Sequence, residues 1–392
     1  MRACIMCGGE GTRLRPLTFE RPKPMIPLLN KPSIVHLVES IAREGISDIV
    51  VTLGYKGGNI EEAIGDGRAY GVHIEYVYDK KKLSTAGSVK NAEEYFGNES
   101  FMVIGGDHVM DLNLREMYRF HELGNAPVTI GLLPIEYPRE YGIVDMGVDN
   151  KICRFLEKPK PGEIFSNLTS TGIYVCNPEI FEMIPDDTKY DFAKNLFPRL
   201  LNEDKRINGF LVRGHWTDIG NPGAYREAAK WMLDKMGSTT IVGNFNIQNA
   251  RVVGPFDIQP GVSLGPNSAL VGPVVIGEGT IIAKNVLIGP YTTIGSGCVI
   301  EDGARIFSAN IFNNVRIGTN TNVSGAIIDN NTVVGNNCIL ETGTVVGARC
   351  LINNNATIHS GVYVWPEIII EQGERVNRNR INKAYSMVTN GS

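Results

Sequence analysis

A glycine-rich stretch near the start of the chain has the residue types that bind phosphate groups. Gly8, Gly9 and Gly11 follow a short strand-like run. Two cations, Arg13 and Lys23, come next. Because glycine has no Cβ, backbone N–H groups in such a loop can close on anionic oxygens. An arginine can bind two phosphate oxygens at once, whereas a lysine between two prolines is a point charge at a set distance. The combination indicates a polyphosphate site.

Two better-known glycine motifs do not match this stretch. A Walker loop requires Gly-Lys-Ser/Thr after its first glycine, and the sequence has none here. In the dinucleotide-binding fingerprint, counted from Gly9 and Gly11, the third glycine would fall at Leu14. A glycine-rich turn with two solvated cations is the alternative, and the spacing of Arg13, Lys23 and the prolines favours a functional loop over it.

The first two-thirds of the chain alternates helix and strand patterns. Ile34, Leu37, Val38 and Ile41 have the spacing of an amphipathic helix. Buried strands are predicted at 49–53 and 101–104, and further helices at 114–123 and 224–236. This alternation predicts a mostly parallel sheet covered by helices, in which ligands lie beyond the carboxyl ends of the strands. The glycine loop and Asp107 both follow predicted strands.

The last third of the chain repeats every six residues. Aliphatic residues recur at 252, 258, 264, 270, 276, 282, 288, 294, 300 and 306 and, after two five-residue steps, from 328 to 364. Such a period indicates a solenoid. Glycine or asparagine, which tolerate positive φ, usually precedes a small residue in each repeat. Cys298, Cys338 and Cys350 occupy the small position, so we expect them in the interior, without metal or redox roles.

The stretch from Cys7 to Pro32 resembles the signature of sugar-1-phosphate nucleotidyltransferases, also called nucleotide-sugar pyrophosphorylases, and the repeat resembles the hexapeptide repeat of members with a β-helix. The resemblance covers nearly the whole chain. It implies an α/β Rossmann-like nucleotidyltransferase domain with a mostly parallel mixed sheet, followed by a left-handed parallel β-helix. The predicted ranges are a catalytic domain at 1–236, a linker at 237–250, the β-helix at 251–370 and a polar C-terminal tail at 371–392.

The family reaction brings two anions together, because a sugar-1-phosphate oxygen attacks the α-phosphorus of a nucleoside triphosphate and expels pyrophosphate. Catalysis then rests on alignment and charge neutralisation. The resemblance implies a Mg²⁺ ion held by Asp107 and Asp218, a set of ligands that suits Mg²⁺. It implies that Arg13 and Lys23 are catalytic, acting on the leaving pyrophosphate.

Further residues are assigned by the same resemblance. The implied nucleotide-binding residues are Cys7, Gly8, Gly9, Gly11, Thr12, Thr85, Ala86 and Gly87. The implied sugar-phosphate-binding residues are Gly142, Glu157, Lys158 and Gly172. The chain departs from the family pattern at Ser84, where glycine is usual, and at Ser170 and Thr171, where Asn-Ala is common, which leaves the identity of the sugar open.

The first choice of function is a mannose-1-phosphate guanylyltransferase, which forms GDP-mannose from GTP and mannose-1-phosphate. Glucose-1-phosphate thymidylyl- or uridylyltransferases are alternatives. An alternative of another class is an inactive regulatory subunit that binds a nucleotide-sugar. A further alternative is acetyl transfer by the β-helix, for which His359 is the candidate base, although its repeat position favours exposure to solvent.

Charge and composition limit the classes of partner that the chain is expected to bind. With a net charge of −4, the 392-residue chain has no basic footprint for nucleic acid. It has no leader pattern and no apolar run long enough to span a membrane, and its seven cysteines favour reduced thiols, so a cytoplasmic protein is expected. The expected partners are the two substrates and further copies of the chain, associated through the β-helix.

Overall fold

The computed structural model describes residues 1–54, 57–243 and 249–387. It divides into two compact units. The N-terminal unit consists of Met1–Glu10, Pro22–Met25 and Pro32–Asp218, and the C-terminal unit consists of Gly11–Arg21, Ile26–Lys31 and Ile219–Ser392. The domain ranges based on sequence remain predictions, and residues 244–248 of the predicted linker and 388–392 of the predicted tail lie outside the described residues.

Thirteen strands and five α-helices are described between Met1 and Asp218, and one of these strands, Pro27–Leu28, belongs to the C-terminal unit. The strands are β1 (Arg2–Cys7), β2 (Pro27–Leu28), β3 (Lys31–Pro32), β4 (Asp48–Leu53), β5 (His73–Tyr78), β6 (Phe101–Gly105), β7 (His108–Met110), β8 (Val128–Pro134), β9 (Gly142–Met146), β10 (Ile152–Glu157), β11 (Leu168–Cys176), β12 (Ile207–Leu211) and β13 (Trp216–Asp218). The helices are α1 (Ser33–Arg43), α2 (Gly58–Ile64), α3 (Ser84–Lys90), α4 (Leu114–Leu123) and α5 (Phe197–Asn202). These counts refer to the described part of the chain.

A nine-stranded mixed sheet organises the described residues of this unit. Its path is β10-β9-β11-β6-β1-β4-β5, with β8 paired to β11 and β12. Strands β6, β1, β4 and β5 are mutually parallel. Strands β1, β4 and β6 form almost continuous apolar runs, as strands covered on both faces require, whereas the edge strand β5 has alternating buried and exposed positions at its start. The predicted α/β fold is confirmed.

The two faces of the sheet carry separate hydrophobic clusters. Cys7 packs in the cluster that contains α1, and Cys4 packs in the opposite cluster with Phe101. Because residues three apart on a strand point to opposite faces, these thiols do not form a pair. The helix predicted from Ile34 to Ile41 is observed as α1, with both of those side chains fully buried.

Three parallel sheets form the β-helix of the C-terminal unit, which also contains helix α6 (Pro222–Asp234) and helix α7 (Lys383–Met387). The first sheet consists of Thr240–Ile241, Phe256–Ile258, Val274–Ile276, Thr292–Ile294, Asn310–Ile311, Ile327–Ile328, Val345–Val346 and Tyr363–Val364. The second sheet consists of Arg251–Val253, Ala269–Val271, Leu287–Ile288, Arg305–Phe307, Asn322–Ser324, Ile339–Leu340, Thr357–Ile358 and Arg375–Val376. The third sheet consists of Ser263–Leu264, Ile281–Ile282, Val299–Ile300, Arg316–Ile317, Val333–Val334, Leu351–Ile352 and Ile369–Ile370.

The six-residue repeat has the predicted physical basis. The aliphatic of each repeat is buried inside the coil, for example Ile300 and Ile352. Corner residues adopt positive φ, as at Asn337 (55°) and Gly297 (66°). Cys298, Cys338 and Cys350 are buried interior residues, as predicted.

The helices of residues 1–54, 57–243 and 249–387 include none with the length and apolar character needed to cross a bilayer.

Candidate functional site

Two adjacent parallel strands bring the glycine loop and Asp107 to one edge of the sheet. Met6 of β1 pairs with Gly105 of β6, and the Gly106 N–H donates to the Met6 carbonyl at 3.0 Å. A Cβ on Gly106 would lie 2.4 Å from the Sγ of Cys7, so only glycine fits between the two strand ends. The loop that starts at Gly8 therefore lies beside the turn that carries Asp107.

A short ribbon brings Asp218 to the same place. Strands β7 and β13 pair antiparallel, and Asp218 lies directly opposite His108, the residue after Asp107. The Tyr141 hydroxyl donates to the Asp218 carboxylate at 3.2 Å. Two aspartates that are 111 positions apart in sequence are thus neighbours, as their predicted shared role requires.

Lys23 is held rigidly and faces Asp107. It begins a 3₁₀ turn, Lys23–Met25, and the buried Ser33 hydroxyl at the start of α1 donates to the Pro24 carbonyl at 2.9 Å. The Lys23 Nζ contacts the Asp107 Oδ2, and the two side chains are only 15% and 21% exposed. Burial alone would raise the pKa of Asp107, but the Lys23 ammonium outweighs it and lowers that pKa to about 2. Asp107 is therefore a carboxylate at neutral pH.

A cavity of about 190 Å³ opens at this edge of the sheet. The predicted site residues that line it are Thr85, Asp107, Gly142, Glu157, Gly172 and Asp218. Ser170 and Thr171, which depart from the family pattern, also line it. The cavity thus brings together one nucleotide-side residue, both aspartates and three sugar-side residues.

Steric contacts explain why two positions of the cavity wall are glycines. A Cβ on Gly142 would lie 2.9 Å from the Glu157 Oε2, and one on Gly172, whose φ is +73°, would lie 3.4 Å from the His108 ring. Burial raises the pKa of Glu157, and the nearby Lys158 ammonium acts in the opposite direction. Glu157 is therefore positioned as a half-buried acceptor on the cavity wall.

Other predicted residues lie elsewhere in the described structure. Lys158 is exposed and does not line the cavity. Ala86 and Gly87 are buried in α3, where a Cβ on Gly87 would lie 2.5 Å from the Thr188 carbonyl oxygen, so only glycine fits at this position. The signature itself is divided between the two units. The N-terminal unit contains Cys7, Gly8, Gly9 and Lys23, and the C-terminal unit contains Gly11, Thr12 and Arg13. In that unit Gly11 has a φ of +63°, and Thr12 and Arg13 are exposed.

Ser84 shows why the family favours glycine at its position. Its φ is +62°, a conformation in which glycine has no strain. The Ser84 hydroxyl donates to Asp191 at 3.0 Å, and the Thr85 hydroxyl donates to the same carboxylate oxygen at 2.9 Å. Asp191 also accepts from the backbone of Ala193 and Lys194, so it fastens the Thr85 turn to the π-helical turn Phe192–Leu196.

Several cavity residues were not among the predicted site residues, and they include His108, Tyr141 and Asp191. His108 is 5% exposed, and its Nδ1 has no hydrogen-bond partner among the described residues. Burial lowers the pKa of His108, which makes it a neutral imidazole near neutral pH. Its position directly after Asp107 was a usable signal, whereas Asp191 was recognisable from sequence only as a helix cap.

The acidic residues of the cavity suit a hard divalent cation that keeps water and phosphate ligands. Asp107 and Asp218 supply carboxylate oxygens, and the Lys23 ammonium beside Asp107 shows that the position attracts a cation. No cluster of three or more His, Cys, Asp or Glu ligands exists within the residues that the structure describes. Mg²⁺ typically binds through one or two carboxylates together with substrate phosphates, so the two aspartates fit it.

The sheet topology and the cavity at its carboxyl edge are those of an α/β protein that binds its ligand at the ends of parallel strands. The family described as "Nucleotidyl transferase" matches residues 2–235, and the "GMPPB C-terminal domain" matches residues 270–381. The chain belongs to the nucleotidyl transferase family.

Named relatives extend over most of the chain. The UTP–glucose-1-phosphate uridylyltransferase of Synechocystis sp. is 33% identical over 86% of this chain and 88% of its own length. The mannose-1-phosphate guanylyltransferase of Mycobacterium tuberculosis is 31% identical over 78% of this chain and 80% of its own. The crystal structure of HddC from Yersinia pseudotuberculosis with GMP-PN has a similar fold, with a TM-score of 0.52 at 24% identity, over 59% of this chain and 99% of HddC. The predicted resemblance to sugar-1-phosphate nucleotidyltransferases with a C-terminal β-helix is confirmed.

Proposed function

We propose that this chain is a Mg²⁺-dependent sugar-1-phosphate nucleotidyltransferase, with GTP and mannose-1-phosphate as the first-choice substrates and GDP-mannose and pyrophosphate as products. The observation that carries the proposal is the single cavity in which Thr85, the two aspartates and Glu157 meet. The guanylyltransferase relatives and the GMPPB-type C-terminal domain support the choice of substrates. The uridylyltransferase relative keeps UTP and glucose-1-phosphate as the alternative.

The reaction requires the sugar phosphate oxygen to approach the α-phosphorus in line with the bond that breaks. One new P–O bond forms at the α-phosphorus, and the bond to the β-phosphate oxygen breaks, so pyrophosphate leaves with that electron pair. When bound by Asp107 and Asp218, Mg²⁺ would neutralise charge on the phosphate oxygens. No side chain needs to act as a covalent nucleophile, because alignment and charge neutralisation supply the catalysis.

Each predicted residue receives a role in this scheme. Arg13 and Lys23 would stabilise the leaving pyrophosphate, since both are cations of the signature. The nucleotide would be bound by the backbone and side chains of Cys7, Gly8, Gly9, Gly11, Thr12, Thr85, Ala86 and Gly87. The sugar phosphate would be bound by Gly142, Glu157, Lys158 and Gly172.

The direct test is a matrix of nucleoside triphosphates and sugar-1-phosphates, with pyrophosphate release measured for each pair. We expect the highest kcat/KM for GTP with mannose-1-phosphate. A maximum for UTP or dTTP with glucose-1-phosphate would move the assignment to the alternative. Binding of a nucleotide-sugar without turnover of any pair would indicate a regulatory subunit.

Glu157→Gln tests the sugar side of the cavity. The half-buried carboxylate is expected to accept hydrogen bonds from sugar hydroxyls, and a hydrogen bond to a charged group contributes about 1.5–3 kcal/mol. We therefore expect kcat/KM for the sugar-1-phosphate to fall by about 10- to 100-fold, with KM for the triphosphate within about threefold of wild type.

Glu163→Gln is the matched control, since Glu163 lies in the next loop, outside the cavity lining, and accepts from the Lys160 N–H at 2.8 Å. The assignment of Glu157 to the sugar is wrong if both variants behave alike, or if KM for the triphosphate changes most.

Self-association would use the third sheet of the β-helix. Its outward positions stack as Ile281, Val299, Arg316, Val333, Leu351 and Ile369. Ile281 and Ile369 are 51% and 58% exposed. Exposed apolar columns of this kind favour association with a second copy. We expect Leu351→Glu to shift the sedimentation coefficient toward the monomer, whereas Thr357→Glu, on the second sheet, leaves it unchanged; equal coefficients for wild type and Leu351→Glu would contradict this interface.

A further inference from the structure

The segment Gly11–Arg21, which contains Arg13, is fastened to the β-helix within the C-terminal unit. Both Nη atoms of Arg21 donate to the carboxylate of Asp329, at 3.0 and 2.7 Å. The Asp329 side chain is completely buried, and that of Arg21 is only 12% exposed. The Arg21 guanidinium also lies over the ring of Phe312, with its Cζ 5.5 Å from the ring centroid. This is a bidentate ion pair removed from water.

A second set of contacts holds the preceding residues. Arg349 donates to both carboxylate oxygens of Glu20, at 3.0 and 2.9 Å. The Phe19 ring lies 4.7 Å from that of Trp365 and 5.0 Å from that of Tyr385, between centroids. Arg349 is 40% exposed, so its ion pair is screened by solvent and weaker than the one at Asp329.

The outward face of the first sheet of the β-helix is covered where these contacts occur. Its outward residues Ile327 and Val345 are fully buried, and Asp329 follows directly after the strand Ile327–Ile328. The segment Ile26–Lys31 is bound to the same sheet, because the Asn30 side chain donates to the Ile294 carbonyl at 2.7 Å. The β-helix therefore binds both N-terminal segments of its unit, Gly11–Arg21 and Ile26–Lys31.

The ion pair lies two residues from a predicted catalytic cation. Arg21 is followed by Pro22 and Lys23, and proline fixes φ near −65°. A buried ion pair loses much of its attraction to the cost of desolvation, so net stabilisation is a weak reason for it. Its fixed bidentate geometry specifies a single position for the segment.

We propose that Asp329 is a positioning residue for nucleotidyl transfer: through Arg21 it fixes the segment Gly11–Arg21, which contains Arg13. This inference rests on the proposed function for the role of Arg13.

The test compares Asp329→Asn with Glu301→Gln in the full chain. Glu301 pairs with Arg316 on the β-helix, with the Arg316 Nε at 2.6 Å, so the control also removes one carboxylate from an ion pair of this domain. For Asp329→Asn we expect kcat/KM for the triphosphate to fall at least about tenfold, because small displacements of catalytic groups are costly. KM for the sugar-1-phosphate is expected to stay within about threefold of wild type. Glu301→Gln is expected to match wild type in both.

Hydrogen exchange supplies a readout that does not depend on activity. The N–H groups of Leu14, Arg15 and Phe19 donate to backbone carbonyls in the turns of this segment. In Asp329→Asn we expect these amides to exchange at least about tenfold faster than in Glu301→Gln. Equal exchange in the two variants overturns the anchoring, whatever substrates the wild type uses. If the wild-type protein turns over no substrate pair, the proposed function is wrong. The exchange measurement still shows whether Asp329 anchors the segment.

A double variant separates positioning from stability. Replacing a buried ion pair by apolar residues on both sides often preserves stability. For Arg21→Met with Asp329→Leu we expect a thermal midpoint near that of wild type and a kcat/KM for the triphosphate as low as that of Asp329→Asn. Recovery of activity together with stability would show that the pair is only structural and would overturn the proposal.

Discussion

Asp107→Asn is expected to lower kcat by at least about 10³-fold, which corresponds to about 4 kcal/mol of lost transition-state stabilisation. Asp107 contacts Lys23, and its pKa of about 2 makes it fully anionic at neutral pH. Asparagine keeps the shape but removes the charge that would hold Mg²⁺. We therefore also expect the MgCl₂ concentration needed for half-maximal activity to rise at least about tenfold.

Asp111→Asn is the matched control for this change. The Asp111 carboxylate accepts from the His215 N–H at 2.7 Å, and the side-chain oxygen of asparagine can accept the same bond. Its activity is expected to stay near wild type. Thermal unfolding of both variants checks the fold, since the expected loss of stability is no more than about 2 kcal/mol. Near-normal turnover by Asp107→Asn would remove Asp107 from the metal site.

Lys23→Met is expected to lower kcat/KM for the triphosphate by about 10²- to 10³-fold, as is typical for loss of one preorganised charge that stabilises a transition state. Lys23 is held by its 3₁₀ turn and by the Ser33 hydrogen bond to Pro24, and a methionine there has a similar length but no charge. In the reverse reaction, we expect KM for pyrophosphate to rise more than KM for the nucleotide-sugar.

The control for the lysine is Lys81→Met. Lys81 forms an exposed ion pair with Asp187 at 2.6 Å and does not line the cavity. Such exposed pairs contribute little, so the control should match wild type. If Lys23→Met were within about threefold of this control in both directions of the reaction, Lys23 would have no role in binding pyrophosphate.

Local sequence rules account for most of the fold. The coil of the β-helix could be predicted because every six residues repeat the same two requirements. One is an inward aliphatic residue such as Ile300, and the other is a corner residue such as Asn337 that tolerates positive φ. Helix α1 and the buried strand β6 follow from periodicity in the same way. The placement of Asp107 at the carboxyl edge followed from its position directly after a strand.

Contacts between distant residues could not be predicted, because no local pattern encodes them. Lys23 and Asp107 are 84 residues apart, and Arg21 and Asp329 are 308 residues apart. The sequence showed Arg21 only as part of an Arg-Pro-Lys-Pro run and Asp329 only as a polar residue in a repeat. The residue types around Lys158 favour an exposed charged turn, and Lys158 is exposed. Its contact with the sugar phosphate is implied by the family resemblance alone.

The assignment of residues 11–21 and 26–31 to the C-terminal unit bears on how this protein is made. These segments leave the ribosome before Asp329, the partner of Arg21, which is synthesised about 300 residues later, and this interval takes roughly 15 to 60 s at ordinary translation rates. A nascent chain that ends before the β-helix therefore contains an arginine whose buried partner does not yet exist. The segment Gly11–Arg21 can reach its final position only late in synthesis, after most of the β-helix has been made.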